Sequence, residues 1–103
     1  MALLKLQHKN GATLINLGED LNVSNARELY ADLGKALKRK PDKIIFYAGK
    51  LTRFDTAVLQ LLIACTREAI RLKKTVSWAE TSEEFRECIE YAGMDEVLGL
   101  HNA

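Results

Sequence analysis

Two adjoining apolar segments constrain this chain more than anything else in it. Lys43 to Ala48 (Lys-Ile-Ile-Phe-Tyr-Ala) is apolar on both alternating faces, which suits a strand in the middle of a sheet. A short turn later, Thr56 to Lys73 reads as a helix. Its first half is apolar almost all round, through Ala57, Val58, Leu59, Leu61, Leu62, Ile63 and Ala64. Neither segment can stay in water, and each can cover the other. The pair therefore demands a layered α/β arrangement.

The rest of the chain fits that demand. Residues 3–8 and 12–17 read as strands, joined through Asn10-Gly11, a dipeptide that tolerates the positive φ of a tight hairpin. Leu17 to Asn22 reads as a loop. A first helix is expected from about Asn25 to Arg39, with Ala26, Leu29, Tyr30, Leu33 and Leu37 on its buried face. Asn25 or Ser24 would cap it, Lys38-Arg39-Lys40 would complement its C-terminal dipole, and Pro41 would stop it. Thr75 to Trp78 reads as a fourth strand. Ser82 to Ala92 reads as a third helix with Phe85, Cys88, Ile89 and Ala92 inward, a Thr81/Glu84 capping box and Gly93 at its end. Met94 to Leu100 forms a short closing segment that packs Val97 and Leu98 onto the core. The order ββαβαβα predicts a mixed sheet with helices on one or both faces.

The accessible chemistry is concentrated at one junction. Arg53-Phe54-Asp55-Thr56 lies between the apolar strand and the apolar helix. It brings a carboxylate and a hydroxyl to the positive end of a helix dipole, where an anion, including a phosphate on Thr56, is favoured. Asp55 is also a good helix N-cap on its own account. Behind Thr56, a narrow polar stripe continues through Gln60, Arg67 and Arg71, with Arg53 in the preceding turn. Thr56 is thus expected at the exposed corner of a mostly buried helix.

Other chemistries find little support. With 48% hydrophobic and 28% charged residues the chain is globular in composition, and its formal charge of +1 gives no electrostatic case for nucleic acid. No apolar run reaches the roughly 18 residues of a membrane span, and the first residues lack the apolar region of a signal peptide. Cys65 and Cys88 fall on apolar helix faces and read as buried thiols of a reducing, cytoplasmic compartment. His8 and His101 have no ligand spacing, so no metal is expected. Ser24, Ser77 and Ser82 lack a His/Asp constellation, and no glycine-rich phosphate loop is present. The chain is expected to need no cofactor and to be a binding module, not an enzyme.

Three segments resemble the STAS domain family, the anti-sigma factor antagonists and their relatives, and the likeness covers nearly the whole chain. The first is Leu17-Gly18-Glu19 followed by the helix carrying Ala26 and Leu29. The second, more specific, is Phe54-Asp55-Thr56 leading from an apolar strand into the long helix. The third is Tyr91-Ala92-Gly93-Met94-Asp95-Glu96-Val97-Leu98. The resemblance implies an α/β fold with a mixed β-sheet of about four to five strands and helices packed against it, as one domain over residues 1–103. It also implies Thr56 as the phosphoacceptor of a kinase that is itself an anti-sigma factor. The unmodified form would hold that partner and the phosphorylated form would release it. Arg53, Asp55, Thr56, Gln60, Arg67 and Arg71 would carry the partner surface. An alternative within the family is an unmodified adaptor on the ATPase of a lipid-transport ABC complex or on a chemotaxis component.

Two features depart from the family pattern. Asp-Ser-x-Gly reads Asp55-Thr56-Ala57-Val58 here, and the branched Val58 is expected to narrow the space for a kinase loop. The segment Gly18-Glu19-Asp20-Leu21-Asn22 is one residue longer than the usual Gly-Glu-Leu-Asp, so that loop is expected to differ.

Overall fold

The computed structural model describes residues 4–9, 11–38 and 42–98, without the side chains of residues 4–9, 95 and 96. Strands β1 (Leu4–Lys9) and β2 (Ala12–Leu17) form the expected antiparallel hairpin. Gly11 takes φ +74°, the left-handed backbone its missing Cβ permits; Asn10 lies outside the described residues. The other sheet strands, β4 (Lys43–Ala48) and β6 (Thr75–Thr81), run parallel to β2 in the order β1-β2-β4-β6. The doubly apolar strand is therefore an inner one, as its pattern requires. β6 outruns the expected Thr75–Trp78. The register shifts between Phe46 and Tyr47, so pairing passes from Trp78 to Glu80 and the strand continues.

Burial in the sheet is one-sided. Ile15, Ile44, Phe46 and Trp78 share a face through their register and are buried, while Leu14, Ile45 and Tyr47 on the other face are half-buried. Helices α1 (Ala26–Leu37), α2 (Thr56–Arg71) and α3 (Glu83–Tyr91) add Leu29, Leu33, Val58, Leu62, Phe85 and Ile89 to the same core. Phe46 stacks on Trp78 at 4.5 Å between ring centroids, and Phe85 lies 5.4 Å from Trp78. A last turn, α4 (Asp95–Leu98), is tied down by the Trp78 indole N–H, which donates to the Leu98 carbonyl at 2.7 Å.

Several expectations shift at this level. α1 ends at Leu37, two residues short of Arg39; residues 39–41, and with them the rest of the basic end and Pro41, lie outside the described residues. Its buried face is Leu29, Leu33 and Ala36, and Tyr30 is 68% exposed, because the helix is rolled so that Tyr30 flanks the neighbouring α2 and does not enter the core. α2 stops at Arg71, and Lys73 takes the left-handed turn at φ 64°. α3 is capped by Ser82, whose hydroxyl accepts from the Phe85 N–H at 3.0 Å; Thr81 is the last residue of β6 and forms no capping box. Cys88 is half-buried and Ala92 exposed, while Gly93 takes the expected left-handed turn. Leu98 is buried and Val97 is 37% exposed, since a single helical turn can offer only one of two neighbours to the core. Residues 99–100 and His101 lie outside the described residues.

Candidate functional site

Because β2, β4 and β6 are parallel, their C-terminal ends lie at one edge of the sheet, and the chain leaves that edge into α1, α2 and α3 in turn. The three connections therefore meet, with three helix N-termini beside them. This is where open α/β sheets generally place their accessible chemistry.

Backbone bonds stitch the connections together. The Glu19 carbonyl accepts from the Thr52 and Arg53 N–H groups at 3.0 and 3.1 Å. Just beyond, β3 (Asp20–Leu21) and β5 (Arg53–Phe54) form a two-residue parallel ladder. The segment expected to be a plain loop is thus a small strand, and its lengthened Gly18–Asn22 stretch supplies the residues for it. The Ser82 hydroxyl donates to the Leu51 carbonyl, and the Ser82 N–H donates to the Ala48 carbonyl at 2.9 Å. Leu51 is fully buried beneath, and Phe54 meets Phe85 edge-to-face at 5.2 Å.

Asp55 is the centre of this assembly. One carboxylate oxygen accepts from the Val58 N–H at 3.2 Å, the ordinary N-cap bond of α2. The other accepts from the Val23 N–H at 2.6 Å, reaching a segment 32 residues away. Val23 belongs to a single 3₁₀ turn, Val23–Asn25, that leads into α1. That turn is closed by a capping box. The Asn22 side chain accepts from the Ser24 N–H at 3.0 Å and from the Ser24 hydroxyl, and the Asn25 side chain accepts from the Asn22 N–H at 3.2 Å. Asn22 therefore caps the turn, and neither Ser24 nor Asn25 caps α1 with its side chain. The entrance of α1 and the entrance of α2 are held as one surface by a single carboxylate.

The residues singled out from sequence fall around this clamp. Thr56 is the exposed first residue of α2, and Arg53 is exposed on β5. Gln60, Arg67 and Arg71 are exposed along the outer ridge of α2, where Ala64 bridges the gap between Gln60 and Arg67. Arg71 is not a free cation: its guanidinium chelates Glu68 through two bonds of 2.7 and 2.6 Å, and it holds the Glu68 carboxyl below its usual range. It lies at the far end of the helix from Thr56, so the structure gathers Arg53, Asp55, Thr56 and Gln60 and leaves Arg67 and Arg71 apart.

Val58 turns out differently from its expected role. Its side chain is fully buried beneath α2 and takes no space from anything that approaches Thr56. Sequence reading also missed Val23, 68% exposed beside the clamp, although the Asn22-x-x-Asn25 spacing could have located the turn that presents it. Cys65 is buried between α1 and α2 and its thiol is pushed up to about 11 by burial, so it stays protonated at neutral pH. Among the described residues no group of three or more His, Cys, Asp or Glu side chains could hold a metal ion, and no helix is long and apolar enough to cross a membrane.

The profile of the Mlab, STAS domain family matches residues 4–100. This chain belongs to the STAS domain family. The fold agrees. An anti-sigma factor antagonist from Mycobacterium paratuberculosis superposes with a TM-score of 0.80 at 13% identity, over 90% of this chain and 79% of the other. A STAS domain protein from Planctomyces limnophilus gives 0.76 at 16% identity, over 91% and 85%. The Bacillus anti-sigma factor antagonist SpoIIAA in its phosphorylated form gives 0.69 at 17%, over 90% and 86%. At these identities the structures establish a shared fold. No curated protein matches the chain.

Proposed function

We propose that this STAS domain is a regulatory protein-binding module, and that its partner docks on the surface that Asp55 assembles from the entrances of α1 and α2. The observation that carries this reading is the Asp55 clamp. It presents Val23, Thr56 and Arg53 side by side on a rigid base, an apolar contact, a hydroxyl and a cation within one patch. Reversible phosphorylation of Thr56 is the switch. A phosphate brings about −1.5 to −2 charges at neutral pH. At the first residue of α2 that charge meets the positive end of the helix dipole, so the domain itself tolerates it. A partner packed on Val23 would have to bury it, and is repelled. A kinase that is also an anti-sigma factor is the partner this mechanism suits, acting in a cytoplasmic pathway that controls transcription.

The test is capture of the native chain and two variants from its own cells, with intact-mass measurement. Thr56→Ala should keep the partner and Thr56→Glu should lose it, and the native chain should show a phosphorylated fraction. Equal capture by all three removes the switch.

A second reading keeps the surface and drops the modification. Thr56 completes the patch as an unmodified hydroxyl beside exposed Val23, so the domain can act as a constitutive adaptor on the ATPase of a lipid-transport complex or on a chemotaxis component. Co-purification with such a protein and absence of any phospho-form would select this reading.

A further inference from the structure

Most of a concavity between two helices lies outside the proposed Thr56 surface. It runs between α1 and α2 from their C-terminal ends to their entrances, where Gln60 lines it. A groove of about 840 Å³ has Leu33, Leu37, Leu61 and Cys65 among its lining residues, and a more open one of about 630 Å³ continues it toward Ala26 and Ala57. The two share Tyr30, Leu61 and Ala64, so they form one trough. Small residues open it. Ala31 and Gly34 on α1 and Ala57 and Ala64 on α2 allow another backbone to come close. Tyr30, 68% exposed, stands as a wall.

Charge is distributed unequally around this trough. Arg27, Lys35 and Lys38 line it, while the α1 carboxylates Glu28 and Asp32 do not. Among the described residues the one carboxylate in the lining is Glu68, which already accepts two bonds from Arg71. An apolar floor with a cationic rim is therefore offered along α1, whose 12 residues span about 18 Å. That length matches roughly three turns of a third helix laid between two, its apolar face inward.

We infer that the α1/α2 trough is a second docking surface, which meets the Thr56 surface only at its Gln60 end, and that it takes an amphipathic helix with acidic flanks from a protein partner. The apolar face of such a helix covers Leu61, Ala64 and Tyr30, and its carboxylates meet Lys35, Lys38 and Arg27. The inference goes beyond the Thr56 reading and does not require any modification there.

The probe is a labelled synthetic helix of Leu, Ala and Glu with apolar residues at i, i+3, i+4 and i+7, compared with its Lys-for-Glu counterpart by fluorescence anisotropy on the full chain. The acidic helix should bind at least about tenfold tighter, and raised salt should shrink the difference. Ala64→Glu, at an exposed position, should weaken the acidic helix about tenfold or more by placing a like charge in the trough. Lys35→Glu with Lys38→Glu should reverse the preference toward the basic helix. Thr56→Ala should change neither affinity, which separates this surface from the one around Asp55. Unchanged thermal unfolding of each variant shows that the fold is intact. Equal binding of the two helices, or an acidic preference that survives the double charge reversal, overturns the inference. Salt-sensitive self-association that the acidic helix displaces would assign the trough instead to a second copy, whose Glu83, Glu84 and Glu87 are exposed on α3.

Discussion

The two ends of α2 are built on different principles. At its start, Asp55 holds the Val58 N–H of its own helix and the Val23 N–H of a segment 32 residues away, and Val58 is fully buried below. At its finish, backbone and charged groups of sequence neighbours close the helix. The Leu72 N–H donates to the Glu68 carbonyl at 3.0 Å and the Lys74 N–H to the Ala69 carbonyl at 2.8 Å, and the Glu68–Arg71 pair spans three residues. An isolated helix could close its C-terminal end this way, whereas the N-terminal end exists only when the loops have met. The exposed Thr56 sits at the cross-linked end, and a partner docking there as proposed would meet a surface already fixed in shape, with little ordering entropy left to lose.

The comparison predicts a graded response to substitution. Val58→Gly, which brings the residue closer to the family's usual pattern, should be the most damaging. It removes a buried branched side chain from the first turn of α2 and should cost about 3 kcal/mol of unfolding free energy in a denaturant titration. A loss under about 1 kcal/mol would mean that the core beneath Thr56 is looser than its burial indicates.

Asp55→Ala comes next. It removes the cap of α2 and the acceptor for Val23 together, an expected loss of about 1–2 kcal/mol. Its signature is non-local. Amide exchange should quicken at Val23 as well as at Val58, and Asp55→Asn should restore part of the protection. Faster exchange at Val58 alone would reduce Asp55 to an ordinary cap and dissolve the contrast between the two ends.

The smallest effect belongs to the local end and has the opposite sign. Lys73 adopts φ 64° without the freedom of glycine, so Lys73→Gly should raise stability by about 0.5–1 kcal/mol, seen as a higher thermal midpoint. It should leave exchange at Val23 unchanged. A loss of stability would show that the Lys73 side chain contributes more than its backbone strain costs.

Periodicity made much of the fold legible. Lys43–Ala48 reads as a strand and is one, and the helices of α1, α2 and α3 depart from their expected limits by one or two residues. The errors share a cause. Tyr30 and Ala92 have the spacing of core residues, yet a helix can roll by part of a turn to suit its neighbours, and sequence spacing does not record the roll. Thr81 and Ser82 are both plausible caps, and the choice fell to Ser82 because the long pairing of β6 with β4 kept Thr81 in the sheet. Of the candidate site, Asp55 and Thr56 were legible because an Asp-Thr pair at a strand-to-helix junction has local meaning. Val23 was not, since its part comes from a bond to Asp55 that no local pattern encodes.

What the sequence determined by itself was the set of elements, their apolar faces and the junction at Arg53–Thr56. These follow from preferences that act over a few residues, and the STAS resemblance rests on the same segments. Tertiary structure alone decided that Val58 points inward and leaves the approach to Thr56 open, and that Arg71 is engaged by Glu68. It alone paired β3 with β5, and it alone brought Val23 to Asp55. The physical reason is the parallel sheet. It carries the ends of β2, β4 and β6 to one edge, so loops far apart in the chain become neighbours, and their backbone groups then satisfy one another there.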